Sequence, residues 1–208
     1  MAEKAIALDE RYAGGHLALA EILRLRWDWK RALAETKKAR ELNPDAGSLL
    51  IYLTLGQINK QIKINREAVE RDPAESNLWR NMALTYYYAG KLEEAKKCAE
   101  KTKLISPLYK EIHLILGQIL VLEGKHQEAL EEFKKGNFEG GMALAYVASG
   151  DVKKSDEYLA RNKKQFNYFY RSARELGARG ELDRAFAALD SAFQNESPFF
   201  LLFKADPC

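Results

Sequence analysis

The chain has 208 residues, 47% of them hydrophobic, with 33 basic against 30 acidic side chains and a formal net charge of +3. This balance excludes the dense basic surface of a nucleic-acid binder, and two cysteines, Cys98 and Cys208, exclude a disulfide framework or a CxxC metal or redox pair. The polar, acidic N-terminus is unlike a signal peptide, and the most apolar stretch, 112–122, is broken by Gly117 and Gln118 and too short to span a bilayer, so a soluble, cytoplasmic chain without cofactor is expected.

One stretch, Trp79 to Pro107, reads as a complete helix–turn–helix unit, and the rest of the chain repeats it with losses. Turn residues recur at Trp27, Gly56, Gly90, Gly124, Gly150 and Gly180. Seven positions before each stand Ala20, Leu49, Ala83, Gly117, Ala143 and Ala173. Five after stand Ala32, Gln61, Ala95, Ala129, Ser155 and Ala185. Small side chains at both offsets let two helices cross closely, where a longer one would hold them apart. Four before the turn come Leu23, Tyr52, Tyr86, Leu120, Tyr146 and Leu176, which fill the seam. Glycine at the turn supplies the left-handed conformation that stops the first helix. Pro44, Pro73 and Pro107 follow the second helices and are read as opening the next unit.

The intervals between turns are 29, 34, 34, 26 and 30 residues. Unit two is expected to lack the start of its first helix, around 48–52. In KKGNFEGGMALAYVASGD, Gly136, Gly140 and Gly141 are expected to absorb a shortened connection. Both junctions should be the least stable places.

The 34-residue period is that of the tetratricopeptide repeat, and the chain resembles that family over nearly its whole length. Trp79, Met82, Ala83, Tyr86, Gly90, Ala95 and Pro107 match its signature positions. The resemblance implies an all-α fold, a right-handed α-solenoid of about six tetratricopeptide-like helix pairs forming a single domain over 1–208. Repeats are expected near 13–45, 46–75, 76–109, 110–135, 136–165 and 166–197. Residues 1–12 read as the remnant of a preceding repeat and 198–208 as a C-terminal capping segment. The apolar run Phe199 to Phe203 is either packed within the chain or a self-association surface.

Catalytic and metal-binding candidates are few. His16 and His113 occupy the slot of Trp79, eleven before the turn, which assigns them to helix packing, and His126 should be exposed at a helix start. No ligand spacing joins them, so no metal and no catalytic residue is expected. Cys98 reads as a structural thiol. GNFEGG lacks a GK[ST] ending and follows a helix, so it is not a phosphate loop. The lysine pairs fall on second helices and read as solvated faces.

The family resemblance implies instead a ligand groove lined by first helices. Its positions map onto Arg80, Leu84, Tyr87 and Tyr88, then Glu111, Leu114, Gln118 and Val121, and at the far end Tyr170, Arg171 and Arg174, with Glu21 and Arg24 in the first unit. Tyr and Arg carry much interface energy. Leu84 stands where a carboxylate clamp needs Asn, so the expected partner is a protein or peptide of apolar and acidic character, with no nucleic acid and no membrane. The expected function is a non-enzymatic protein- or peptide-binding scaffold. WDWKRALAETKKARELNPDA and GELDRAFAALDSAF also resemble repeat regions of bacterial transcriptional activators and adenylate cyclases, which implies the alternative of a regulatory segment with its output domain elsewhere.

Overall fold

The computed structural model describes residues 2–44, 46, 49–161 and 168–194, with the side chains of 49, 50 and 168–171 left aside. Among the described residues the chain is all-α, with thirteen helices and no strand. They fall in two compact units, Met1–Asp72 and Pro73–Cys208. The first contains α1 (Ala2–Leu8), α2 (Ala13–Leu25), α3 (Trp29–Leu42), α4 (Leu49–Thr54) and α5 (Ile58–Arg71). The second contains α6 (Ser76–Tyr88), α7 (Leu92–Ile105), α8 (Glu111–Leu122), α9 (His126–Gly136), α10 (Glu139–Ala148), α11 (Val152–Arg161), α12 (Tyr168–Ala178) and α13 (Leu182–Gln194). Pairs form between chain neighbours, and in the second unit the first helices α6, α8, α10 and α12 also lie side by side in chain order.

Every turn residue read from the sequence adopts a left-handed backbone. The φ values are 64° at Trp27, 69° at Gly56, 69° at Gly90, 75° at Gly124, 86° at Gly150 and 73° at Gly180. Each turn closes with the same two hydrogen bonds. The N–H after the turn residue donates to the carbonyl five before it, as in Lys91 to Tyr86 at 2.9 Å and Glu181 to Leu176 at 2.9 Å. The turn residue itself donates three back, as in Gly90 to Tyr87 at 3.0 Å. This is the Schellman closure, which satisfies carbonyls that a helix end otherwise leaves open. Trp27 adopts it without being glycine, at the cost of left-handed strain of about 1–2 kcal/mol.

The two small-residue columns are buried wherever they are described, from Ala20, Ala83, Ala143 and Ala173 on first helices to Ala32, Ala95, Ala129, Ser155 and Ala185 on second helices. The prolines differ from expectation. Pro44, Pro73 and Pro107 each directly follow a second-helix C-cap (Asn43, Asp72 and Ser106), so they end one helix and do not open the next.

The shortened connection after α9 also differs in its cause. Asn137, at φ 58°, makes the turn, and Phe138 N–H donates to Phe133 C=O at 2.8 Å. Asn tolerates this conformation better than other non-glycine residues. The nearby glycines serve packing. A Cβ at Gly141 would lie 2.3 Å from the Phe133 ring, one at Gly117 2.4 Å from the same ring, and one at Gly136 2.2 Å from Phe138. The fully buried Phe133 therefore sits against glycines of both α8 and α10.

Two outcomes follow from these close approaches. Gly90→Ala meets open space, so it should cost only the left-handed penalty, about 1 kcal/mol in denaturant unfolding; Trp27→Gly should raise stability by relieving that strain. Gly117→Ala should cost about 1–3 kcal/mol by overpacking. Combined with Phe133→Leu it should cost less than the two single changes summed, and strict additivity would sink the ring-contact account.

Candidate functional site

The groove candidates divide on burial. Arg80, Leu84 and Tyr88 on α6 and Leu114, Gln118 and Val121 on α8 are half-buried, with Glu111 exposed in the first turn of α8. Tyr87 is not a lining residue. It is 1% exposed and belongs to the core cluster with Met82 of α6 and Ile112, Ile115 and Ile119 of α8. Its ring meets Tyr88 edge-on at 5.3 Å, so the buried tyrosine braces the more exposed one. Arg174 is half-buried on α12. Tyr170 and Arg171 lie on that helix too, but their side chains fall outside what is described, as do all of residues 195–208.

Arg80 is held by a residue that the pattern did not single out. Its Nε donates to Tyr109 Oη at 3.3 Å, and Tyr109 Oη donates to Asn77 Oδ1 at 3.0 Å. Tyr109 lies in the connector between α7 and α8, so the end of this repeat orients the arginine on its own first helix. In the unit Met1–Asp72, Arg24 is 3% exposed, and its Nε donates to Glu21 Oε2 at 2.8 Å. That pairing makes Arg24 an internal brace of α2 and removes it from the accessible candidates.

The histidines are structural in a more specific way than packing alone. His16 Nδ1 donates to Glu35 Oε2 at 2.7 Å, and His113 Nδ1 lies 2.6 Å from Glu132 Oε2. Both pairs join a first helix to its second helix across nineteen residues, in the same repeat register. His16 Nε2 also faces the Glu10 carbonyl at 3.0 Å. With an acceptor at each nitrogen, only the imidazolium satisfies both contacts. The hydrogen bond to Glu35 raises the His16 pKa against the opposing effect of burial. Glu132 is held below the usual range: burial opposes this, and hydrogen bonds from Lys135 and His113 outweigh it. His126 is half-buried instead of exposed. Equal spacing of two His–Glu pairs was the signal that reading the histidine column alone missed.

Cys98 is buried, and burial with the nearby Glu94 charge pushes its thiol up to about 11. It is protonated at neutral pH and unsuited to nucleophilic attack. At the far end of the second unit, Ser155 Oγ donates to the buried Glu175 at 3.1 Å and accepts from Arg179 at 3.1 Å, while Arg179 pairs with Asp156 at 2.8 Å. This network ties α11 to α12. Its Ser155 stands in the small-residue column.

Helix pairs in one register, joined by a recurrent left-handed closure and carrying a half-buried face on successive first helices, define an all-α helical-repeat protein. No family model matches the chain. It is similar to the anaphase-promoting complex subunit cut9 of Schizosaccharomyces pombe, with 23% identity over 174 residues, 77% of this chain and 26% of that protein. It is also similar to the TPR repeat-containing protein YpiA of Bacillus subtilis, with 28% identity over 132 residues, 60% of this chain and 31% of that protein. The chain thus spans only about a quarter to a third of these curated relatives. Among solved structures, TTC0263, a thermophilic TPR protein of Thermus thermophilus, superposes with a TM-score of 0.64 at 20% identity, covering 84% of this chain and 99% of that one. The Cut9–Hcn1 hetero-tetramer of APC/C gives 0.65 at 17% identity, covering 94% of this chain and 43% of that one. The helix pairs of this chain share the tetratricopeptide-repeat fold of these structures. Among the described residues no helix is long and apolar enough to cross a membrane.

The His16–Glu35 pair makes stability depend on pH. A folded-state pKa above the ordinary 6.5 stabilises below that value and loses its contribution as pH rises through the folded pKa. Unfolding free energy should therefore decline from pH 6 to pH 8, and Glu35→Gln should flatten that decline. A wild-type slope retained in the variant would assign the dependence elsewhere.

Proposed function

We propose that this chain is a non-enzymatic scaffold that binds a protein or peptide segment along the first helices of the unit Pro73–Cys208. The carrying observation is Arg80, a half-buried guanidinium whose Nε is fixed by Tyr109 while the partly exposed apolar side chains of Leu84 and Tyr88 share its helix. Leu114, Gln118 and Val121 extend that surface on α8, and Glu111 closes its edge with a negative charge. A preoriented arginine gains a carboxylate contact with little loss of side-chain freedom, and the neighbouring apolar surface supplies area. The segment we infer carries an acidic residue next to large apolar ones. Arg174 on α12 would extend the same surface.

General support comes from the repeat class, and from cut9 being named a subunit of a complex. The alternative of a regulatory segment in a larger signalling protein rests on phrase-level resemblance, and no contact in the structure favours it.

The test is a peptide array of acidic–apolar segments against charge-reversed counterparts, followed by anisotropy titration of the strongest binders. Arg80→Ala and Leu114→Asp should each weaken binding about tenfold or more, equivalent to about 1.4 kcal/mol, with unchanged helical circular dichroism. Tyr87→Ala should instead lower the melting temperature, since it opens a core cavity. Binders indifferent to both surface substitutions would overturn the reading.

A further inference from the structure

One buried ring, His16, joins three elements. It stands in the first turn of α2, with Nδ1 2.7 Å from Glu35 Oε2 on α3 and Nε2 3.0 Å from the Glu10 carbonyl in the connector between α1 and α2. Among the described residues His113 repeats only the first of these contacts, with Glu132. The helix that the second contact tethers is held by little else. α1 has seven residues and buries Ala2 alone. Ile6 packs partly against the core, so near α2 that a Cβ on Gly15 would lie 3.0 Å from its Cγ1, while Leu8 is exposed. A helix this short has no stability of its own in water.

What α1 covers is a face that the later repeats keep closed. Five positions before each turn, Ile51, Thr85, Ile119, Ala145 and Glu175 are at most 1% exposed, whereas Ile22 in the same column is 38% exposed. A cavity of about 180 Å3 between α1, α2 and α3 is lined by Ala2, Glu3, Leu19, Ile22, Arg26 and Arg31 among others, so α1 forms one of its walls.

We propose that His16 is a proton-operated latch for α1: the charged ring holds the α1–α2 connector in place, and the neutral ring releases it, opening that cavity and exposing Leu19, Ile22 and Leu23. The imidazolium donates from both nitrogens, whereas neutral imidazole has a single N–H. The Glu35 carboxylate is the stronger acceptor and keeps that proton at Nδ1. Nε2 then turns a lone pair toward the lone pairs of the Glu10 carbonyl, so the connector lets go and α3 is retained. The charged groups about the ring are Glu35 and Lys38 on α3, with Asp9, Glu10 and Arg11 exposed in the connector. The hydrogen bond to Glu35 favours the charged ring, burial and Lys38 oppose it, and the net effect is a raised pKa. The latch is therefore shut below the folded pKa and opens as pH rises through it. It belongs to the unit Met1–Asp72 and does not depend on the groove reading.

The test uses the full chain with Lys4→Cys and Cys208→Ser, carrying a nitroxide on the exposed side of α1. Cys98 is buried and its thiol is pushed up to about 11, so the label goes to the introduced cysteine. At pH 5.5 paramagnetic broadening should fall on the amides of residues 15–23 of α2, and at pH 9 it should be lost there with helical circular dichroism otherwise retained. In the unlabelled chain, protection of the Asp9 and Tyr12 amides, corrected for intrinsic exchange, should fall about tenfold over that range, as for the loss of one hydrogen bond to a charged group. Glu35→Gln should move the midpoint to lower pH, His16→Phe should abolish the pH dependence, and His113→Phe should leave it intact. Broadening that persists at pH 9, with the His16 ring resonances showing the neutral form, would overturn the latch. A pH-dependent loss that survives in His16→Phe would overturn it as well.

Discussion

The left-handed closure at the end of each first helix is the constraint on which everything else rests. A second helix can fold back along the first only if the chain reverses within a few residues, and that reversal orphans carbonyls unless a positive φ lets following N–H groups reach them. Six turns meet the requirement with the same pair of hydrogen bonds, and Asn137 meets it a seventh time at the end of a second helix. Because the reversal is so tight, the two helices leave it already close together. The small residues seven before and five after the turn are the steric consequence. Where the column holds glycine, as at Gly117, the space goes to an aromatic ring from the partner helix.

The same closeness explains how polar groups are accommodated. Ser155 fits a column made mostly of alanine because Glu175 and Arg179 satisfy its hydroxyl. His16 and His113 take an aromatic slot because Glu35 and Glu132 stand opposite on the second helix. A buried charged group without such a partner would cost several kcal/mol, so each of these substitutions in the repeat pattern occurs as a pair. The pairs tie each of these first helices to its second helix.

Much of the fold was legible beforehand, and the candidate site only in part. Turn positions, column positions and the all-α class depend on backbone sterics within a single helix pair, and these act over separations short enough to leave a periodic trace. Arg80, Leu84 and Tyr88 carry the same kind of trace. Tyr87 shows where it fails: adjacent residues on a helix point about 100° apart, and which of two neighbouring tyrosines is fully buried depends on the packing with α8, where Tyr87 joins the core and Tyr88 only packs against it. Tyr109 and the His–Glu partners were missed because their contacts bridge elements nineteen to thirty-two residues apart.

The sequence by itself determined the register of this protein, because a left-handed turn admits glycine readily and a close helix crossing admits only small side chains. Even Trp27, which breaks the glycine rule, could be placed from the columns around it, and it adopts the φ its position demands. Only the tertiary structure decided which polar residues become buried braces and which stay partly exposed. That choice turns on burial, and burial is set by the neighbouring helix, whose position no residue specifies alone. Arg24 and Arg80 make the contrast: one is buried and tied to Glu21 of its own helix, the other is half-buried and held by Tyr109 from the connector after α7.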